Sequence, residues 1–185
     1  MFFTGHKDTD RLIIESIDNE KDFLSVSLVN SYFNELYNEN LFHRRILKKY
    51  PDVLQYKGDL SYKNLFLFIV HYINKIKTKY NFVFSNGNPV DYYNLLNARM
   101  LQFHRIKEAI RKGYTDLAIF LSNNETVNNR LFTGLLSLSV KFGNKILVDY
   151  YINRYGFESI YSYEKLARIA DISGHFKLSD YFRCK

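Results

Sequence analysis

Residues 109–117 read AIRKGYTDL, and the same outline returns as SVKFGNKIL at 139–147 and as ADISGHFKL at 170–178. In each, a helical stretch runs into a glycine (Gly113, Gly143 or Gly174), and an apolar residue stands four positions later. The glycines are 30 and 31 residues apart. The stretch after each carries apolar residues at helical spacing: Leu117/Phe120/Leu121, Leu147/Tyr150/Tyr151 and Leu178/Tyr181/Phe182. Helix, glycine, helix is therefore the repeating unit. Each glycine is expected to close its first helix in a left-handed conformation that other residues enter only at a cost, which makes the three of them repeat caps. A helix pair this short cannot bury its apolar face alone, so the three pairs are expected to stack over residues 100–185.

Working outward from that stack, Asn88-Pro89-Val90-Asp91 is a helix start: an asparagine N-cap, proline at the first helical position and an aspartate in the first turn. A short helix should run on through residues 92–99. Before it, Asn81-Phe82-Val83-Phe84 is a β-prone run ending in the turn residues Ser85-Asn86-Gly87, and a short extended piece is expected there. Residues 62–80 place Leu65, Phe66, Phe68, Ile69, Tyr72, Ile73 and Ile76 close to i, i+3, i+4, i+7 spacing, with Lys63, Lys75, Lys77 and Lys79 outside. Ser61 caps this long amphipathic helix, a polar turn at Lys57-Gly58-Asp59 precedes it, and Pro51 ends the helix before that near Tyr50. Residues 51–99 thus read as a helical connector.

Residues 8–50 have their apolar side chains in short clusters, Leu12/Ile13/Ile14/Ile17, Phe23/Leu24/Val26/Leu28/Val29, Phe33/Leu36 and Leu41/Phe42/Ile46/Leu47. Polar turns at Asp18-Asn19-Glu20 and Asn38-Glu39-Asn40 separate them, which is the pattern of three or four small helices. A unit of this size buries little core by itself, so it should lean on the following segment or on a partner. The series Ile17-Asp18, Asp22-Phe23-Leu24, Leu28-Val29-Asn30, Phe33, Leu36 and Leu41-Phe42-His43-Arg44-Arg45 resembles the F-box. It departs from that pattern in lacking a Leu-Pro pair near Asp10-Arg11-Leu12, in having Asn30 where a cysteine is usual, and in placing phenylalanine where tryptophan is usual.

The resemblance implies a module at residues 1–50 that docks on a ubiquitin-ligase adaptor protein through Leu12, Ile13, Ile17, Leu24, Leu28, Val29 and Phe33. The repeats at 100–185 resemble ankyrin repeats, most clearly in Ala109 before Gly113 and in Ala170 before Gly174-His175, although the Thr-Pro-Leu-His turn is missing. In this order the three regions resemble the F-box/ankyrin-repeat proteins of giant DNA viruses. That implies an all-α chain acting in the host-cell cytoplasm, with the repeats holding a target protein.

Composition bounds the alternatives. Hydrophobic content of 46% with 24% charged residues is enough to bury a core, and the 18 asparagines, 16 tyrosines and 16 phenylalanines look like a coding bias rather than a stacking code. A lone cysteine, Cys184, excludes an internal disulfide or a cysteine metal cage and suits a reducing compartment. Nothing at the N-terminus resembles a signal peptide, and the longest apolar run, residues 65–70, is far short of a membrane span, so no membrane role is expected.

The net charge of +7 is uneven: residues 1–42 hold 3 Lys/Arg against 8 Asp/Glu, and residues 43–80 hold 9 against 2. Arg44, Arg45, Lys48 and Lys49 recur on neighbouring helical turns as a basic patch, suited to an acidic surface or to phosphates, or simply a solvated face. A basic nucleic-acid-binding or virion-associated structural role is thus the alternative function. His6, His43, His71, His104 and His175 are scattered, without metal-ligand spacing, and no P-loop, Gly-x-Gly-x-x-Gly or Gly-x-Ser-x-Gly sequence occurs. A non-catalytic adaptor without cofactor is the expectation.

Overall fold

Asparagine opens helix after helix in the first half of the chain. Asn19, Asn30 and Asn38 each turn a side-chain oxygen onto first-turn N–H groups that no intrahelical carbonyl reaches. The structure, a computed structural model, describes residues 3–83, 87–124, 129–156 and 162–185. The first helices are α1 (Lys7–Glu15), α2 (Glu20–Val26), α3 (Ser31–Leu36) and α4 (Glu39–Lys49). Pro51 ends α4 and opens a 3₁₀ turn, Pro51–Tyr56. The long helix α5 (Tyr62–Tyr80) is capped by Ser61, and the Glu39 carboxylate of α4 accepts from the N–H groups of Tyr62 (2.6 Å) and Lys63 (3.3 Å). Helix α6 (Pro89–Asn97) starts at Asn88, whose side chain accepts from the N–H of Val90 at 3.0 Å and of Asp91 at 3.3 Å.

Then come α7 (Gln102–Arg111), α8 (Thr115–Asn123), α9 (Asn129–Lys141), α10 (Lys145–Tyr155), α11 (Tyr163–Ile172) and α12 (Phe176–Arg183). The described residues contain no strand, so the fold is all-α. The β-prone run departs from expectation. Asn81 takes the left-handed conformation (φ 49°) and closes α5, and Phe82 is buried, so helix capping and core packing replace an extended piece at 81–83. Residues 84–86 lie outside the described ones.

The chain divides into two compact units, Met1–Tyr93 and Asn94–Lys185. The first has one core, to which α1 brings Ile14, α2 Phe23, α3 Phe33 and Leu36, α4 Leu41, Phe42 and Ile46, and α5 Leu65, Phe66 and Ile69. Phe23 sits at its centre, with ring centroids 4.9 Å from Tyr37, 5.3 Å from Phe66 and 6.0 Å from Phe42. The four small helices therefore share their core with α5.

The second unit is built of helix pairs. Each pair, α7/α8, α9/α10 and α11/α12, is joined through its repeat glycine, and α7, α9 and α11 are neighbours in series, as are α8 and α10. Gly113, Gly143 and Gly174 have φ of 74°, 65° and 78°. The same two hydrogen bonds recur at all three. Gly113 N–H donates to Ile110 and Tyr114 N–H to Ala109; Gly143 to Val140 and Asn144 to Ser139; Gly174 to Asp171 and His175 to Ala170. This Schellman pairing satisfies carbonyls that the ending helix leaves open.

Burial repeats in the same register. Four positions before each glycine stand Ala109, Ser139 and Ala170, small and fully buried. Four and five after it stand Leu117/Ala118, Leu147/Val148 and Leu178/Ser179, and eight after it Leu121, Tyr151 and Phe182, all buried. Small residues in the first helix let the second approach closely, and the larger residues fill the space between successive pairs.

Candidate interaction surfaces

Helix α1 turns Ile14 into the core, and the helical period then carries Leu12 to the outside, where it is 68% exposed. Leu28 (84%) and Val29 (65%) stand outward on the turn after α2, where Leu28 N–H donates to Ser25 and Val29 N–H to Val26. Ile13, Ile17 and Leu24 are half-buried, and Ile17 and Leu24 pack partly against the core of the first unit. Phe33 is a core residue, 9% exposed, with the Phe3 ring edge-on at 4.5 Å. Of the seven residues that the F-box resemblance selects, Leu12, Leu28 and Val29 are exposed, Ile13 is half-buried, Ile17 and Leu24 are shared with the core and Phe33 serves the core.

The basic cluster on α4 is largely neutralised. The Arg45 guanidinium is buried over the Phe23 ring at 4.1 Å and grips the Glu20 carboxylate through Nε at 2.7 Å and Nη2 at 2.5 Å. It also donates to the Asp18 carbonyl at 3.2 Å. Lys49 reaches the same Glu20 at 3.2 Å and donates to the Asp18 carbonyl, and Arg44 meets Glu15 at 2.6 Å. Lys48 alone of the four makes no ion pair among the described residues. Arg45 thus corrects the expected patch: a buried guanidinium has to be paired, and it is.

Glu20 is the hub that local pattern hides. Its second oxygen accepts from the Tyr50 hydroxyl at 2.6 Å. Burial first, and then that bond to the carboxylate, push the Tyr50 hydroxyl pKa well above its ordinary value, with Arg45 opposing. Burial does the same to Tyr37, whose hydroxyl donates to the Phe23 carbonyl. Asp10 is a second hidden hub: it accepts from Thr4 N–H (2.7 Å), Thr4 hydroxyl (3.0 Å), Gly5 N–H (3.0 Å) and Tyr32 hydroxyl (2.7 Å). Burial acts to raise its pKa, but the four donors outweigh it and the net shift is downward. Both carboxylates thus accept hydrogen bonds from residues distant in sequence. The Thr4-Gly5 turn ahead of Asp10 is a local hint, whereas nothing near Glu20 marks a partner 25 residues away.

In the second unit, the residue after the second and third glycines ties its pair to the pair before it. Asn144 donates to the Thr115 hydroxyl at 2.7 Å, and His175 Nε2–H donates to the Lys141 carbonyl at 3.0 Å. The His175 ring lies where a Cβ on Gly143 would sit, with Cε1 and Nδ1 2.6 Å from that point. His175 is therefore a packing residue.

Beside it a cleft of about 380 Å³ opens between the turns at Gly143 and Gly174, lined by Lys145, His175, Phe176, Lys177 and Leu178. A cleft of about 430 Å³ in the first unit is more polar, with Glu20, Lys21, Lys49, Asn74 and Lys77 on its walls. Arg105 and Arg111, from the more C-terminal basic residues, are engaged by the Leu96 carbonyl and Glu108.

Among the described residues no group of three or more His, Cys, Asp or Glu side chains is placed to hold a metal ion. Within the same residues no helix is long and apolar enough to cross a membrane. Compared with known proteins, the chain matches no family model, no curated protein and no solved structure.

Proposed function

We propose that the chain is a non-catalytic protein–protein adaptor: an F-box-like module at the N-terminus docks on the adaptor of a cullin-type ubiquitin ligase, and the ankyrin-like helix pairs hold a target protein. The observation that carries this is the exposure of Leu12, Leu28 and Val29, three of the residues that the F-box resemblance assigns to docking. A partner that covered these side chains would remove their apolar surface from water, which favours association. The regular register of the helix pairs supports the second half of the reading, because stacked repeats present an extended surface for partners. A nucleic-acid role draws less support, since Arg44, Arg45 and Lys49 are committed to Glu15, Glu20 and Asp18.

The test is capture of purified ligase adaptor by the full chain, alongside a double variant, Leu28→Asp with Val29→Asp. Both side chains are exposed, so the variant keeps the wild-type melting temperature. Binding through apolar contact survives moderate salt and is lost in the variant, because burying unpaired carboxylates is costly. A well-folded wild-type protein that captures no adaptor, or capture that the double variant leaves intact, overturns the reading. Binding that falls steeply with salt instead points to phosphate contacts.

A further inference from the structure

Phe176 lines the cleft between Gly143 and Gly174, and the turns that bear these glycines carry further exposed apolar side chains. Ile146 is 66% exposed and Phe176 67%, with Phe142 and Ile172 also open to solvent. All four flank the two turns, while the equivalent turn of the first pair carries Arg111, Lys112, Thr115 and Asp116 at those positions. The exposed apolar residues therefore belong to the second and third pairs and are no general property of the repeat.

The charge on these turns has one sign. Residues 139–147 and 172–178 hold Lys141, Lys145 and Lys177 and no Asp or Glu. Asp149 and Asp171, just outside, are paired with Lys145 (2.6 Å) and Arg183 (2.5 Å). Lys141 and Lys177 are exposed and make no ion pair among the described residues. A cleft of this volume accepts one or two large side chains. Gly174 keeps part of the floor open, with nothing within 4 Å of the point its Cβ would take, and the lysines favour an anionic occupant.

We propose that this turn edge of α9–α12 docks a short acidic segment of a partner protein, which inserts a large apolar side chain between Gly143 and Gly174 and sets its carboxylates against Lys141 and Lys177. That the partner is the recruited target rests on the adaptor reading; that the cleft takes an acidic, apolar peptide does not.

Random short peptides displayed on phage are selected on the full-length protein, and the enriched peptides are synthesised with a fluorescent label and titrated by polarisation. The enriched peptides combine Asp or Glu with Phe, Leu or Trp. Phe176→Ser weakens them about tenfold or more, the weight of a central apolar anchor. Lys177→Glu weakens them further as salt is lowered, because a repulsive charge is screened least there. Ile146→Ser repeats the test should Phe176→Ser lower the melting temperature. The Leu28→Asp, Val29→Asp protein binds the peptides as the wild type does, which separates this site from ligase docking. The proposal is overturned by basic or uncharged enriched peptides, by no enrichment, by titrations indifferent to Phe176→Ser and Ile146→Ser, or by displacement of the peptides with a single-stranded oligonucleotide.

Discussion

The two units hold their helices together by different means. Residues 1–93 converge on one aromatic core and on two buried carboxylates, Glu20 and Asp10, that gather donors from distant helices. Residues 94–185 repeat one local device three times, a glycine turn between a small buried residue and a large one, and link each copy to the copy before it. In the first unit removal of one group strands others that the core cannot rehydrate. In the second the load is divided among equivalent sites, and damage should stay local.

The most damaging single change should fall in the first unit. Glu20→Ala leaves the Arg45 guanidinium buried without its carboxylate, a loss of about 3–5 kcal/mol for breaking a buried pair. Urea unfolding followed by tyrosine fluorescence measures it, and Glu20→Leu combined with Arg45→Leu should recover much of the loss, since no charge then remains stranded. A loss in the single variant no larger than that of an exposed pair, such as the one removed by Lys145→Ala, erases the contrast between the units.

Next in size is Gly143→Ala, which meets two costs. The left-handed backbone alone is strained by about 1–3 kcal/mol for a residue with a Cβ. The new methyl also strikes the His175 ring, which cannot swing aside without giving up its bond to the Lys141 carbonyl. Gly113→Ala and Gly174→Ala meet only the first cost, because nothing stands within 4 Å of the point where either methyl would sit. Melting temperatures should therefore rank Gly143→Ala below the other two, and His175→Ala in the Gly143→Ala background should close part of the gap. Equal losses at all three glycines mean that the pairs are not locked through His175.

What could be seen in sequence is what neighbouring residues determine, in either unit. The repeat glycines, the Asn88 and Ser61 caps and the limits of α5 are set by residues within a turn of each other, so period and capping chemistry reveal them. Glu20 and Arg45 meet across 25 residues, and one-dimensional pattern reads the first as part of a polar turn and the second as part of a basic face. Helical period also separates Ile14 from Leu12, yet it cannot say that Phe33 is covered by Phe3 or that Leu28 is left bare beyond the end of α2. The clusters of residues 8–50 thus reveal helices, and only packing decides which of their side chains face outward.

The smallest effect tests whether neighbouring pairs in the second unit are coupled by polar contacts as well as apolar ones. Ser122 on α8 and Tyr151 on α10 share a buried hydrogen bond of 2.9 Å between their hydroxyls. Ser122→Ala leaves the Tyr151 hydroxyl without that partner at a cost of about 1 kcal/mol, whereas adding Tyr151→Phe removes both polar groups and should return most of it. The same tyrosine gives the pH sign. Burial above all raises its pKa, and the Ser122 bond acts against the rise. The neutral hydroxyl therefore contributes stability that is complete below the unfolded-state pKa of about 10 and is lost as pH climbs through the higher folded value. Tyr151→Phe should flatten the alkaline fall in melting temperature without changing its behaviour near neutrality by more than the lost bond. If the alkaline fall keeps its full slope in the phenylalanine variant, the tyrosines of the first unit, Tyr37 and Tyr50, carry the alkaline sensitivity.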